Sequence, residues 1–333
     1  MTASPLARIY RGTPRNLARL AHALQAGELV AVPTETVYGL AANALDVRAC
    51  RKIFRAKGRP TSDPLIVHIH DLAQLESIAE VNADALSLAK RFWPGPLTLV
   101  LPKRSIVPAI VSAGLPSVAV RMPAHPLFRR LLKQAQLPLA APSANPFGYV
   151  SPTTAAHVRD GLGSKIRHIL DGGPSHIGVE STILDLRQPR TPRLLRPGAI
   201  SRAQLERALD RPVRDKQASP AKGAQVAPGL MARHYSPCTP AVLHDKLPPA
   251  VEAAAMLDEA WIYIARPSTN AARAPNIFWL DARGELRRAA HHLFAVLRRV
   301  DQQTFRRIHL ERARGEGLAE AINDRLQRAA SRS

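Results

Sequence analysis

The run Lys57-Gly58-Arg59-Pro60 sets two cations close together, and Ser143 and Asn145, much later in the chain, add a hydroxyl and an amide in the run Pro142-Ser143-Ala144-Asn145. Fixed cations backed by small polar groups suit a polyphosphate or a carboxylate. Ser151 extends the second run, and loops of this kind can surround phosphate oxygens with backbone N–H groups and hydroxyls. Arg121 ends the run Ser117-Val118-Ala119-Val120, where a charge needs a partner, either a bound carboxylate gripped by both arms of the guanidinium or an internal Asp or Glu. Thr34 and Thr36 share a face at period two, and Gly39 permits close backbone approach. Asp63 and His68 stand at the two ends of a short apolar strand, Ser181 opens another, and Arg196 follows Leu194-Leu195. Each feature also has an ordinary structural reading. Threonine favours strands, a cation complements a helix C-terminus, a histidine can sit hydrogen-bonded in a core, and Ser and Asn form turns.

Other chemistries find little support. The chain has no GxxxxGK[ST] loop, no GxGxxG after the first strand and no HExxH, and the adjacent His291 and His292 do not share a helical face. No metal ligands can be assigned. Cys50 and Cys238 are too few for a disulfide framework, which fits a reducing cytoplasm. No apolar stretch approaches the roughly 20 residues that span a bilayer, so no membrane partner is expected. The net charge of +21 invites a nucleic-acid reading, but the cations are scattered and Arg and Ala are both abundant, as base composition alone can produce. Direct tRNA or other RNA binding therefore stands as a secondary reading, with a nonenzymatic RNA-binding protein as the main rival. An enzyme of carbamoyl phosphate or of another acyl-adenylate is the second.

These groups need a scaffold, and the pattern supplies an α/β one. Apolar runs at Leu29–Val32, 65–69, 97–101, 118–120, 139–141, 168–170 and 181–186 read as strands. Helical spacing is expected over 14–26, 46–56, 71–79, 82–92, 124–135, 153–161 and 201–209. With 333 residues, two domains are expected: 12–210, then a Pro-, Gly- and Ala-rich linker over 211–240, then a smaller α/β domain over 241–333. The last has strands at 241–243, 261–264 and 277–280 and helices near 248–259, 285–300 and 317–330. Trp93, Trp261 and Trp279 read as core residues rather than base-stacking platforms. Within the linker, Arg233-His234-Tyr235 is too rich in functional groups for a spacer.

The order of motifs is more specific than any one of them: PTETVYGLAANA at 33–44, KIFRAKGRP at 52–60, DPLIVHI at 63–69, WPGPLTLVL at 93–101, VAVRMPAHP at 118–126, APSAN at 141–145, SPTTAAHV at 151–158, DGGPSHIGVESTILDL at 171–186 and LLRPGAIS at 194–201. This series closely resembles the YrdC-like family of L-threonylcarbamoyladenylate synthases. APGLMARHYSP at 227–237 and the tail GEGLAEAINDRLQRAA at 315–330 resemble its longer, two-domain form. The resemblance implies a twisted mixed sheet with flanking helices and a smaller Rossmann-like C-terminal domain. It implies a nucleotidyltransferase that makes L-threonylcarbamoyl-AMP and pyrophosphate from L-threonine, bicarbonate or carbon dioxide, and ATP, with magnesium. Its product would serve the threonylcarbamoyl transferase machinery that modifies the adenosine next to the anticodon of certain tRNAs.

Carried over by position, Thr34, Thr36, His68, Arg121, Ala141 and Ser181 are expected around threonine. Lys57, Arg59, Asp63, Ser117, Ser143, Asn145, Ser151, Arg196 and Tyr235 are expected around ATP, although the family often has Asn where this chain has Asp63. Lys57 and Arg59 are the expected catalytic charges, stabilising the departing pyrophosphate without a covalent intermediate. The linker is expected to close over the site as a lid and to keep water from an unstable carbamate.

With Arg121 on the amino acid's carboxylate, the hydroxyl is left to Thr36 or Ser181. A site that hydrogen-bonds a hydroxyl rejects an analogue lacking it far more strongly than one that senses a methyl group. Threonine is therefore expected to outperform 2-aminobutyrate in pyrophosphate release at limiting amino acid, and equal rates would refute hydroxyl recognition.

Overall fold

A computed structural model describes residues 6–216, 223–229 and 234–331. Local signals start the fold as the sequence reads. The hydroxyl of Thr13 accepts from the Asn16 N–H, Pro14 opens the helix Pro14–Gln25, and Leu17, Leu20, Ala21 and Leu24 form its buried stripe. Gly27, at φ +72, turns the chain into the buried strand Val30–Val32.

Among the described residues one mixed sheet runs in the order Arg8–Arg11, His168–Asp171, Val30–Val32, Gly39–Asn43, Leu139–Ala140, Ile66–His68, Ser117–Arg121, Leu97–Pro102, Thr182–Asp185, Arg193–Arg196, Arg214–Asp215. Register brings distant residues to one edge of it. Ile66–His68 pairs in parallel with Ser117–Arg121, setting His68 opposite Arg121, while Leu139–Ala140 lies antiparallel on its other side. Leu97 pairs with Thr182, which draws Ser181 beside Thr98, and a bridge joins Gly39 to Ser143. A Cβ on Gly39 would meet that of Ala141 at 3.2 Å.

The second sheet is smaller and parallel, in the order Ala241–His244, Arg307–Glu311, Glu259–Ala265, Ile277–Asp281. Helices Leu286–Asp301 and Leu318–Ala330 belong to it, with Leu293, Phe294, Leu297, Ile322 and Leu326 buried. That core does not stop at the second sheet. Val37, Val150, Val179 and Tyr235 pack into the same apolar cluster.

Several elements differ from expectation. The helix expected at 248–259 is the short Ala250–Ala254, because a turn follows in which the Glu259 N–H donates to the Met256 carbonyl and Glu259 begins a strand. Arg8–Arg11, Gly39–Asn43, Arg193–Arg196, Arg214–Asp215 and Arg307–Glu311 are strands that were not expected. Arginines at the ends of four of them shorten the apolar run, and Gly39–Asn43 carries only Leu and Ala between Gly39 and Asn43. Trp93 and Trp261 are buried as expected, whereas Trp279 is half-buried.

The two sheets' domains meet tightly at Gly178, where φ is +84 and a Cβ would stand 2.4 Å from the Ala290 carbonyl oxygen and 2.5 Å from the His291 Cα. Both atoms are backbone and cannot swing away. Gly178→Ala should therefore cost about 2–3 kcal/mol, read as a lowered thermal midpoint, and an unchanged midpoint would show that this loop yields freely.

Candidate active site

The cleft lies at the edge where His68, Arg121, Ala141 and Ser143 converge. Thr34, Thr36, Gly39, Arg59, Glu180, Ser181, Arg196, Gly229, His234 and Tyr235 complete much of its lining.

One half is organised by Arg121. Its Nε donates to the Gly95 carbonyl at 3.1 Å, its Nη1 donates to Thr36 Oγ1 at 3.0 Å, and its Nη2 lies 2.7 Å from Glu35 Oε1. Thr34 Oγ1 accepts from the N–H groups of Thr36 and Val37 and donates to the Val37 carbonyl, fixing the turn that presents Thr36. Burial works to raise the Glu35 carboxyl, but the charge and hydrogen bonding of Arg121 hold it below the usual range. Of the two partners the sequence left open for Arg121, the internal acid is thus present. The guanidinium still has N–H groups beyond those three contacts for a carboxylate ligand. His68, in register with Arg121, is pushed down to about 3 by burial and then by that cation. Its ring is neutral, and Nδ1 has no hydrogen-bond partner among the described residues.

The other half gathers around Arg59 and Arg196. Helix Val47–Lys57 ends at Gly58, whose φ of +65 turns the chain so that the Arg59 N–H donates back to the Phe54 carbonyl. The Arg59 side chain is then buried, donating to the carbonyls of Asp63 and Pro64 and pairing with Asp63 Oδ2 at 2.9 Å. Burial pushes Asp63 up, against the pull of Arg59, Lys57 and Arg196. Arg196 donates from Nε to the Ser181 carbonyl, from Nη2 to Ser181 Oγ and from Nη1 to the Pro228 carbonyl. Ser181 Oγ also lies 2.8 Å from Thr98 Oγ1, so Ser181 is a joint between the halves.

Asp63 and the remaining expected residues do not line the cleft. Lys57 donates to the carbonyls of Ser143 and Asn145 and anchors that loop from behind, and burial lowers its ammonium well below the ordinary lysine value. Asn145 bonds the carbonyls of Pro146 and Tyr149, Ser151 donates to Glu180 Oε1 at 2.6 Å, and Ser117 is buried at a strand start. Arg233 and residues 217–222 of the linker lie outside the described residues. Of the described linker, Gln225 donates its N–H to the Ser62 carbonyl, and Gly229, His234 and Tyr235 face the cleft. Glu35, Thr98 and Glu180 were missed as site residues. Thr98, a hydroxyl inside an apolar strand, and Glu35, an acid between the two threonines Thr34 and Thr36, were the available signals.

Among the described residues no group of three or more His, Cys, Asp or Glu is placed to hold a metal ion. Guanidinium groups line the cleft, and Glu180 already bonds Arg325 and Ser151. That donor set does not fit a resident magnesium, which requires oxygen ligands.

Residues 22–198 match the Sua5, YciO and YrdC family model, described as telomere recombination, and residues 200–331 match the model described as threonylcarbamoyl-AMP synthase, C-terminal domain. The chain belongs to the threonylcarbamoyl-AMP synthase family. Within that family it is 42% identical over 314 residues to the threonylcarbamoyl-AMP synthase of Pyrococcus abyssi, covering 92% of this chain and 91% of the relative. It is 40% identical over 323 residues to the Bacillus subtilis enzyme, covering 94% and 92%. The crystal structure of P. abyssi Sua5 complexed with L-threonine superposes with a TM-score of 0.89 at 39% identity, over 97% of this chain and 98% of that one. E. coli YciO, at 21% identity and a TM-score of 0.52, covers 58% of this chain and 96% of its own, and so shares the fold over that part.

Because His68 is held neutral in the fold while an unfolded histidine titrates near its ordinary value, protons favour unfolding. The stability it supports is full above about pH 6.5 and falls as pH drops towards about 3, by roughly 1.4 kcal/mol per unit. Denaturant unfolding at about pH 6.5 and about pH 4.5 should show His68→Asn losing about 2–3 kcal/mol less than the parent, and equal losses would contradict a neutral buried ring.

Proposed function

We propose that this chain forms L-threonylcarbamoyl-AMP and pyrophosphate from L-threonine, bicarbonate or carbon dioxide, and ATP. One observation carries the reading: in a chain of the threonylcarbamoyl-AMP synthase family, one cleft is lined by Arg121, bonded to Thr36, and by Arg196, bonded to Ser181, with Arg59. The first suits an amino-acid carboxylate and the second a polyphosphate.

In this reading threonine's carboxylate shares Arg121 with Glu35, and its hydroxyl and amine meet Thr36, Ser181 and the neutral His68. The amine must be uncharged to attack carbon dioxide. Neither His68, pushed to about 3, nor Glu35, held low, is a base suited to that proton, so the amine sheds it to solvent before the site closes. Addition to carbon dioxide leaves a second proton on nitrogen, which passes to bicarbonate or water; the carbamate oxygen then attacks the α-phosphorus, and pyrophosphate leaves against Arg59 and Arg196. Lys57 contributes by holding the loop of Ser143 and Asn145 in place. Magnesium arrives bound to the phosphates of ATP, as part of the substrate.

We assign residues 12–210 to the catalytic domain, 211–240 to a linker that lies over the cleft as a lid, and 241–333 to the smaller domain. No helix among the described residues is long and apolar enough to cross a membrane. The two cysteines and the product's use in tRNA modification fit a cytoplasmic enzyme that passes the adenylate to a threonylcarbamoyl transferase, with any direct tRNA contact secondary.

Pyrophosphate release should require all three substrates. Withholding threonine, bicarbonate or ATP in turn should each reduce the rate to background. Release without bicarbonate would point to another acyl-adenylate, and salt-sensitive tRNA binding without any release would favour the RNA-binding reading.

A further inference from the structure

We propose that Arg325, on the C-terminal helix Leu318–Ala330, is a positioning residue for the anion-binding half of the cleft, an inference that rests on the synthase reading. Arg325 is fully buried, yet it belongs to the domain that does not carry the cleft. Its partners lie mostly in the other domain. Nε pairs with Glu180 Oε2 at 3.0 Å, Nη2 donates to the Glu180 carbonyl at 3.3 Å, and Nη1 donates to the Pro197 carbonyl at 2.7 Å. The guanidinium also lies over the Tyr235 ring at 5.5 Å, and Asp324 supplies a second carboxylate at 2.9 Å.

Apart from Asp324, on its own helix, each of these contacts ends on or beside a residue of the cleft. Glu180 lines it and precedes Ser181, Pro197 follows Arg196, and Tyr235 lines it from the linker. The other oxygen of Glu180 accepts from Ser151 Oγ at 2.6 Å. One rigid planar fork thus spans three separate segments of chain, all on the Arg196 side and none on the Arg121 side. A buried guanidinium is tolerated only when its acceptors are in place, so its geometry allows one arrangement of those segments. Arg325 does not itself line the cleft, and it acts through Glu180, the Pro197 carbonyl and Tyr235.

A staple that merely held two domains together would lower stability and the active fraction while leaving both Michaelis constants alone. Positioning predicts a split. In Arg325→Met and Arg325→Lys, KM for ATP should rise about tenfold while KM for threonine stays within about twofold. The lysine keeps the charge but loses the fork, so it should resemble the methionine variant in this ratio. It also decides the matter if the methionine variant does not fold. Removing Glu180 first, in Glu180→Gln, should shrink the further effect of Arg325→Lys on KM for ATP. Unchanged KM for ATP in a folded variant, equal rises for both substrates, or full additivity with Glu180→Gln would overturn the proposal. The parent chain is assayed alongside. Should it release no threonine-dependent pyrophosphate, the synthase reading fails, and calorimetric ATP binding by the parent and Arg325→Lys still decides whether Arg325 shapes an ATP site, equal affinities overturning it.

Discussion

A guanidinium taken out of water must be surrounded by acceptors, and the site is built on that constraint. Arg59, Arg121, Arg196 and Arg325 are all buried in one region of the molecule. Three of them are balanced by a carboxylate: Arg59 by Asp63, Arg121 by Glu35 and Arg325 by Glu180. Arg196 has no carboxylate within ion-pair reach among the described residues, only carbonyls and the Ser181 hydroxyl. It is therefore the least neutralised of the three arginines that line the cleft. An anionic ligand gains most there, because a charge already desolvated by the fold attracts more strongly than one in water. Arg121 and Arg59 arrive with partners that orient them, and they serve geometry as much as charge.

The same constraint explains why the smaller domain cannot be regarded as an appendage. Its apolar core continues into Val37, Val150 and Val179 of the larger domain. Polar ties reinforce the join: Arg298 donates to the carbonyls of Val150 and Ser151, and Tyr149 donates to Asp301 at 2.9 Å. Asp301 also accepts from the N–H groups of Cys238 and Thr239, so the end of the linker is fixed by the same carboxylate. An interface of this kind transmits position, since neither the packed apolar surface nor the satisfied carbonyls can shift by small amounts without loss.

Much of this was legible in the chain. The two-domain α/β plan follows from apolar runs broken by Pro and Gly, and the cleft residues from cations and hydroxyls placed just beyond strand ends. What stayed hidden depends on registers that no local pattern contains. His68 and Arg121 face each other only because two strands pair in parallel, and Glu35 meets Arg121 from a different loop, between Val30–Val32 and Gly39–Asn43. Lys57 read as a phosphate cation, yet its ammonium turns to two carbonyls behind the loop, a choice set by tertiary packing. Arg325 carried a signal that went unread, a charge beside Ile322 and Leu326 on the buried face of its helix. The strands Arg193–Arg196 and Arg307–Glu311 were masked because charged residues interrupt their period.

Tyr235 shows the opposing forces at the end of the linker. Its φ of +61 lies in the left-handed region, which a bulky residue enters at a cost of roughly 1–2 kcal/mol. The ring repays this by packing against His234 at 4.1 Å and Phe294 at 5.5 Å, beneath Arg325. Its hydroxyl, however, has no hydrogen-bond partner among the described residues, and Gly229 approaches it so closely that a Cβ there would stand 2.8 Å away. Packing thus favours this position, while backbone strain and a buried hydroxyl with no partner among the described residues oppose it. A ligand that gave that hydroxyl an acceptor or donor would remove one opposing term and leave the packing untouched, and so would favour the position seen here.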